Sequence, residues 1–205
     1  MKPDVLILSG FAGSGKGTVL KKAMEMFPEL KLSVSMTTRS PRPGEIDGVH
    51  YHFVSKEEFK KTLEQNGFFE HAEYCGNFYG TPKKPLFQMV RDGFVPVLEI
   101  ETDGAIQAMK ELSSFRSVFL SPPDFKTLES RLRGRGTETK DSLQNRLRAA
   151  SSELERVRLY DHLIINYDGG VEEAAKALVE IAKTGTSESP VLMRDKETFL
   201  ENFFK

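Results

Sequence analysis

Gly10, Phe11, Ala12, Gly13, Ser14, Gly15 and Lys16 form the pattern glycine, four residues, glycine, lysine. The pattern stands between the apolar run 5–8 and a helical stretch that opens near Thr18. Glycines in a strand-to-helix turn let backbone N–H groups converge on phosphate oxygens. The helix N-terminus adds the positive end of its dipole, and a lysine at this point reaches the terminal phosphates of a nucleoside triphosphate. A glycine-rich turn that only starts a helix has no need of the lysine. Gly17 follows Lys16 where a Ser or Thr usually meets Mg2+, and Thr18 comes one place later. The expectation is a magnesium ion held mostly through water, which Mg2+ tolerates because it dehydrates reluctantly.

Two further groups could do chemistry. Glu99 and Glu101 close the run 95–101, and as strand residues two apart they would share a face, roughly 6 to 7 Å from each other. In a doubly wound sheet, carboxylates at that end border the ligand crevice, where a like-charged pair is costly unless a cation or a donor-rich ligand lies between them. Arg131, Arg133, Arg135, Lys140, Arg146 and Arg148 stand against only Glu138 and Asp141, a local balance of +4 around the glycine-bearing loop 134–139. Some of these are solvated helix faces; others could be carried onto an anion by a loop movement, since a guanidinium meets phosphate oxygens bidentately. His50 and His52 share a strand face but lack a third ligand for a metal.

The elements that must position these groups read as alternating strands and helices, the pattern of an α/β domain with a parallel sheet. Apolar runs at 5–8, 32–34, 95–100, 117–120 and 163–165 suit strands covered on both faces. Helical stretches lie at 18–27, 82–92, 104–112, 123–133, 141–160 and 171–183, the longest with Leu143, Leu147, Ala150, Leu154 and Val157 on one stripe. Residues 35–79 break the alternation as a small mixed insertion with a turn at Gly76 and Asn77. After a loop at 184–190, residues 191–205 form a short helix showing Phe199, Leu200, Phe203 and Phe204, either packed on the chain's own core or kept for a dimer contact.

Composition sets the limits. With 39% hydrophobic and 29% charged residues, the 205-residue chain is an ordinary globular sequence, large enough for one core with appended subregions. Its 29 Lys and Arg against 30 Asp and Glu give −1, which argues against a generally basic nucleic-acid partner surface. The single Cys75 excludes an internal disulfide and a thiolate zinc site and fits a reducing, cytoplasmic compartment. No run reaches the roughly 20 apolar residues of a membrane helix.

Beyond the phosphate loop, the chain resembles the guanylate kinases in a series of runs in family order over about residues 3 to 184. These are Ser33 to Arg39 continuing through Arg42 to Glu45, Tyr51 before Phe53, Glu70 followed by the stretch from Gly76 through Tyr79 to Thr81, Arg135 to Thr139, Arg146, and Asn166. The resemblance implies a P-loop NTPase-type parallel sheet flanked by helices, with an inserted mixed α+β GMP-binding subdomain and a small lid. The implied division is a core of 1–34, 82–133 and 149–186, a GMP subdomain 35–81, a lid 134–148 and an extension 187–205. It further implies phosphoryl transfer from ATP to GMP, with Lys16, Arg39, Arg135 and Arg146 as the catalytic cations. ATP would lie on the loop from Gly10 to Thr18 with Arg135 and Asn166. GMP would lie on Ser35, Arg39, Arg42, Tyr51, Glu70, Tyr79, Thr81 and Glu101, with Glu99 on the metal side, through water.

The residue types fit independently. Guanine's ring NH and amino group match Glu70, and its remaining edge suits hydroxyls at Ser35 and Thr81; adenine would leave Glu70 desolvated and unpaired. The sequence also departs from the family. Glu99 and Glu101 replace the usual aspartates, which keeps charge and spacing but extends each carboxylate, and Asp103 stands where Gln is usual. Phe11 and Ala12 replace the commoner Pro and Ser, Tyr167 the commoner Asp, and no function is read into those three changes. Two rivals stand beside the enzyme reading, a catalytically inactive scaffold that binds phosphopeptides and a kinase with another acceptor such as AMP. Lys16 and the lid arginines argue against the first, Glu70 and Ser35 against the second. The sequence leaves monomer and homodimer both open.

Overall fold

The computed structural model describes residues 4–134 and 140–205. In chain order its elements are β1 (Val5–Gly10), α1 (Lys16–Met26), β2 (Leu30–Leu32), β3 (Met36–Thr37), β4 (His52–Phe53), α2 (Lys56–Glu64), β5 (Phe68–Tyr74), β6 (Asn77–Pro82) and α3 (Lys83–Arg91). There follow β7 (Val95–Glu99), α4 (Thr102–Glu111), β8 (Phe115–Ser121), α5 (Phe125–Gly134), α6 (Lys140–Arg156), β9 (His162–Ile165), α7 (Val171–Thr184) and α8 (Lys196–Asn202). Five strands form an all-parallel sheet in the order β2-β7-β1-β8-β9, and a separate mixed sheet runs β4-β3-β6-β5. Among the described residues no helix is long and apolar enough to cross a membrane.

β1 is the central strand and is buried throughout. Its side chains alternate as a strand must: Val5 and Ile7 join the core that includes residues of α4, α5, α6 and α8, while Leu6 and Leu8 join the core under α1 and α7. The continuous apolarity of these strands is therefore the signature of a sheet covered on both faces.

Several boundaries differ from the sequence expectation, each for a local reason. α1 begins at Lys16 and not near Thr18, because Gly15 takes a left-handed backbone (φ 90) and serves as its N-cap. β2 is Leu30–Leu32, set by the pairing of Leu30 with Val95 and Leu32 with Val97; past Ser33 the chain leaves for the second sheet. α6 stops at Arg156 and passes through a short 3-10 turn, Val157–Leu159, that buries Val157. The tail forms α8, and Phe199, Leu200 and Phe203 are covered by the chain's own core, with Phe204 left half-exposed. The stripe holds for Leu147, Ala150 and Leu154 on α6 and runs on to Val157 in the following turn; the Leu143 side chain lies outside the described residues, as does the loop 135–139.

The hairpin joining β5 and β6 turns one residue earlier than expected, at Cys75 and Gly76, both with positive φ (49 and 72), between the paired Tyr74 and Asn77. Two left-handed residues match the twist of the strands, but cysteine carries a Cβ that disfavours this conformation where Asn tolerates it. Cys75→Asn should stabilise the chain by about 0.5 to 1 kcal/mol, read as a higher urea midpoint at unchanged m-value. A lower midpoint would contradict this account of the turn.

Candidate active site

The loop after β1 is held from behind at each of its glycines. A Cβ on Gly10 would lie 2.1 Å from the Leu120 carbonyl oxygen of β8, one on Gly13 would lie 3.1 Å from the Leu132 side chain of α5, and one on Gly15 2.6 Å from the Asn166 amide nitrogen. Asn166, at the end of β9, donates its side-chain amide to the Ser14 carbonyl at 2.8 Å, and its backbone amide is bonded to Ser121. Lys16 Nζ donates to the Gly10 carbonyl at 2.6 Å and to that of Phe11 at 3.3 Å, so its charge rests over the loop. Gly17 and Thr18 are exposed in the first turn of α1, where backbone N–H groups lack helical partners. The Ser14 hydroxyl is buried without a hydrogen-bond partner among the described residues.

A cleft of about 610 Å³ runs from Lys16 to the second sheet and is lined by Ser35, Tyr51, Glu70, Tyr79, Glu99 and Glu101 among others. Strand register brings its polar groups together: Glu70 of β5 stands opposite Thr81 of β6, whose neighbour Gly80 stands opposite Met36 beside Ser35. The Thr81 hydroxyl donates to Glu70 Oε1 at 2.6 Å and lies 3.2 Å from the Ser35 hydroxyl, which leaves Ser35 as donor to Thr81. Glu70 is only 8% exposed, and burial pushes its carboxyl up against the lowering effect of Thr81. Gly104 in α4 makes room for it, since a Cβ there would sit 3.0 Å from Glu70 Oε2.

At the mouth of the cleft, Tyr51 and Tyr79 lie edge to face at 6.0 Å, and the Arg39 guanidinium lies 5.6 Å from the Tyr51 ring. Arg39 is gripped by Glu45 through two parallel bonds of 2.9 Å, and the Arg42 backbone amide donates to the same carboxylate at 2.7 Å. The Arg39 fork, followed by the Arg42 amide, holds the Glu45 carboxyl down at about 2. The sequence reading had not singled out Glu45 as a partner of Arg39; the spacing of six residues across a Pro-Gly turn was the available signal.

Glu99 and Glu101 both line the cleft but not as two residues of one strand. β7 ends at Glu99, the Ile100 amide bonds to Leu8, and Glu101 is the N-cap position of α4. Burial raises the Glu99 carboxyl, countered by Lys16 and aided by Glu101. Two carboxylates facing a lysine, with no hydroxyl at position 17, suit a cation held through water better than one bound directly.

The basic segment divides. Arg131 bonds Asp168 at 2.7 Å and the Asn166 carbonyl at 2.8 Å, and Arg133 pairs with Glu129 one turn back, so both belong to the core helix. Arg146 is half-buried on α6 and is not among the residues lining the cleft; Arg148 is exposed. Arg135 lies outside the described residues, together with the side chain of Lys140. Sequence reasoning missed Glu153, seven residues or two helical turns beyond Arg146 on α6. Burial, then the Glu101 charge, pushes its carboxyl up to about 7, against Lys16 and Arg156 and with Asp103 adding to the rise. Arg156 is itself drawn to Asp103 at 2.6 Å and to the Thr102 hydroxyl at 2.8 Å.

A parallel sheet with a glycine-and-lysine phosphate loop after its central strand, and a mixed sheet inserted beside it, defines the P-loop nucleotide-kinase class. Comparison with known proteins narrows this. The pattern described as guanylate kinase matches residues 2–184. A guanylate kinase of Synechococcus sp. (strain CC9311) is 46% identical over 177 residues, 86% of this chain and 90% of that one. One of Desulfitobacterium hafniense (strain Y51) is 44% identical over 162 residues, 79% and 81% of the two chains. The crystal structure of guanylate kinase from Anaplasma phagocytophilum superposes with a TM-score of 0.68 at 31% identity, covering 98% of this chain and 94% of that one. The chain belongs to the guanylate kinase family and is an enzyme of that type.

The electrostatics of the cleft can be tested through stability. Glu153 titrates near 7 in the folded chain against an ordinary 4.5, so its proton is kept without penalty below pH 4.5 and folding is opposed as pH rises through about 7. Glu153→Gln removes that opposition. Its stability relative to the parent should rise between pH 5 and pH 8 by at most about 3 kcal/mol, measured by urea unfolding at each pH. A difference that stays flat with pH would remove Glu153 from the charge balance of the cleft.

Proposed function

We propose that the chain transfers the terminal phosphoryl group of ATP to GMP, and to dGMP as a second acceptor, with Mg2+ as cofactor and ADP and GDP (or dGDP) as products. The observation that carries the reading is one cleft with the lysine of a phosphate loop at one end and the Ser35, Thr81, Glu70 chain at the other. In this reading residues 35–81 are the acceptor subdomain, 134–148 the lid, and 1–34, 82–133 and 149–186 the core. ATP and GMP are cytosolic metabolites, which favours a cytoplasmic location.

On binding, Lys16 exchanges the Gly10 and Phe11 carbonyls for phosphate oxygens, and the loop amides and the Ser14 hydroxyl receive the rest. Glu70 accepts from the guanine ring NH and amino group, while Ser35 and Thr81 serve the neighbouring edge. Arg39, Arg42, Tyr51 and Tyr79 take the acceptor phosphate; Glu45 already holds the Arg39 fork in a bidentate pose suited to it. Glu99 would hold Mg2+ through water, and the ion would supply charge neutralisation on the donor phosphates. An acceptor phosphate oxygen attacks the terminal phosphorus in line as the bond to the bridging oxygen of ADP breaks. A phosphate monoester is already largely dianionic at neutral pH, so no general base is required. Arg135 and Arg146 close on the phosphoryl group in flight, and closure excludes water. The contacts assigned to the acceptor address its base and phosphate and leave the ribose 2′ position unread, which is the ground for including dGMP.

A coupled assay of ADP release from ATP with GMP, dGMP, AMP, CMP and UMP tests the assignment, and turnover with the two guanine nucleotides alone is expected. Lys16→Met should abolish GMP-dependent ADP release in a folded protein, and a fully active variant would sink the role of the loop. Glu70→Gln should lower kcat/KM for GMP by about 100-fold or more, because the buried site then meets the guanine amino group and ring NH with a mismatched partner. Unchanged GMP turnover in that variant would reopen the question of the acceptor.

A further inference from the structure

Residues 187–205 lie beyond the span matched to the family and have no part in the function proposed above. Their helix nonetheless ends against the phosphate loop. The Phe203 ring, 1% exposed, stacks on Phe11 with centroids 5.0 Å apart and planes 23° from parallel, while Phe119 of β8 meets the same Phe11 ring edge-on at 4.9 Å. Phe11 is the residue whose carbonyl receives the second Lys16 bond.

Phe203 also fixes the other support of the loop. Its carbonyl accepts the Phe125 amide at 2.8 Å, pinning the first residue of α5, and α5 carries Leu128 and Leu132 against Gly13. The tail is anchored so that it can bear this load. The Met193 amide bonds to Leu163 and the Ile165 amide to Val191 at the β9 edge. Arg158 grips Glu197 at 2.8 and 3.0 Å, and Lys196 donates to the Tyr160 carbonyl. The change from the family's commoner Pro to Phe11 is thereby explained: it supplies the ring on which the tail docks.

We propose that Phe203 is a positioning residue for the donor phosphate loop, its ring setting the Phe11 end and its backbone setting the helix that backs Gly13. The proposal rests on the reading that this loop binds ATP. A site built from backbone amides gains affinity from being held in its bound shape beforehand, so loosening the loop weakens ATP without touching the acceptor pocket. Leucine at 203 keeps an apolar side chain but loses the stacked face, the component that aromatic pairs add beyond area burial.

The test measures ATP binding by calorimetry without GMP, and KM for each substrate, in the full-length protein. Phe203→Leu should weaken ATP binding and raise its KM by roughly three- to tenfold, with KM for GMP within about twofold of the parent. Phe11→Leu should do the same, and the double variant should be no worse than either single, because the pair acts as a unit. Phe199→Leu removes an equally buried ring from the same helix that packs on Phe203 and not on Phe11; it should lower the melting temperature and leave ATP binding unchanged. If circular dichroism shows the leucine variant at 203 unfolded at assay temperature, Phe203→Met carries the same comparison. ATP binding equal to the parent in the folded variant at 203, or an equal loss of ATP binding in Phe199→Leu, overturns the proposal. Parent protein that binds ATP no better than Lys16→Met overturns the reading of the loop, and the proposal with it. Lys16-dependent ATP binding that survives the change at 203 overturns the positioning role alone.

Discussion

Backbone amides can be aimed at an anion only while the segment that carries them is stiff, and here the stiffness comes from close approach. Gly10, Gly13 and Gly15 are the points at which β8, α5 and β9 press on the loop from behind, with no room for even a methyl group at Gly10 and Gly15. Much of the architecture follows from that contact. A parallel sheet with β1 at its centre brings the ends of β8 and β9 to the loop, and Asn166 reaches it only because β9 stands at the far edge of the same sheet. α5 is tied to that end again by Arg131, whose guanidinium spans the Asn166 carbonyl and Asp168.

The second sheet meets a different requirement. Recognition of a polar edge needs a buried acceptor that is neither left bare nor fully consumed, and Glu70 is in that condition: one oxygen takes the Thr81 hydroxyl, and the other faces α4 across Gly104. Charges in the cleft are arranged in the same spirit. The net charge of −1 hides Lys16 facing Glu99, Glu101 and Glu153, and Arg39 locked to Glu45. Lys16 rests on backbone carbonyls that an incoming phosphate can displace, whereas Arg39 rests on a bidentate carboxylate with which a phosphate would have to share it.

Most of the strand and helix order was legible in the sequence because strands buried on both faces are continuous apolar runs and α6 keeps a clean stripe. Boundaries were less so. Nothing in the composition of 16–18 announces that Gly15 adopts a left-handed backbone and starts α1 two residues early, and the Cys75 turn looks from sequence like a Gly76-Asn77 turn. The gathering of Ser35, Glu70 and Thr81 was inferred through resemblance, and strand register supplies its physical cause. Long-range pairs left no trace. Glu153 beside Lys16 and Glu101, and Phe203 on Phe11, depend on how distant segments pack, which no local spacing encodes.

That last pair has a consequence for how the protein comes into being. Phe11 precedes Phe203 by 192 positions in the chain, so the phosphate loop is synthesised well before the ring that packs behind it. Contacts so remote in sequence close last and slowly. Until they do, a nascent or truncated chain carries the loop's full sequence with the Phe11 ring uncovered by Phe203, an apolar surface open to chaperones and to other chains. On the positioning role proposed for Phe203, the loop's sequence alone would make an unsupported motif, and the late-synthesised segment would complete its support.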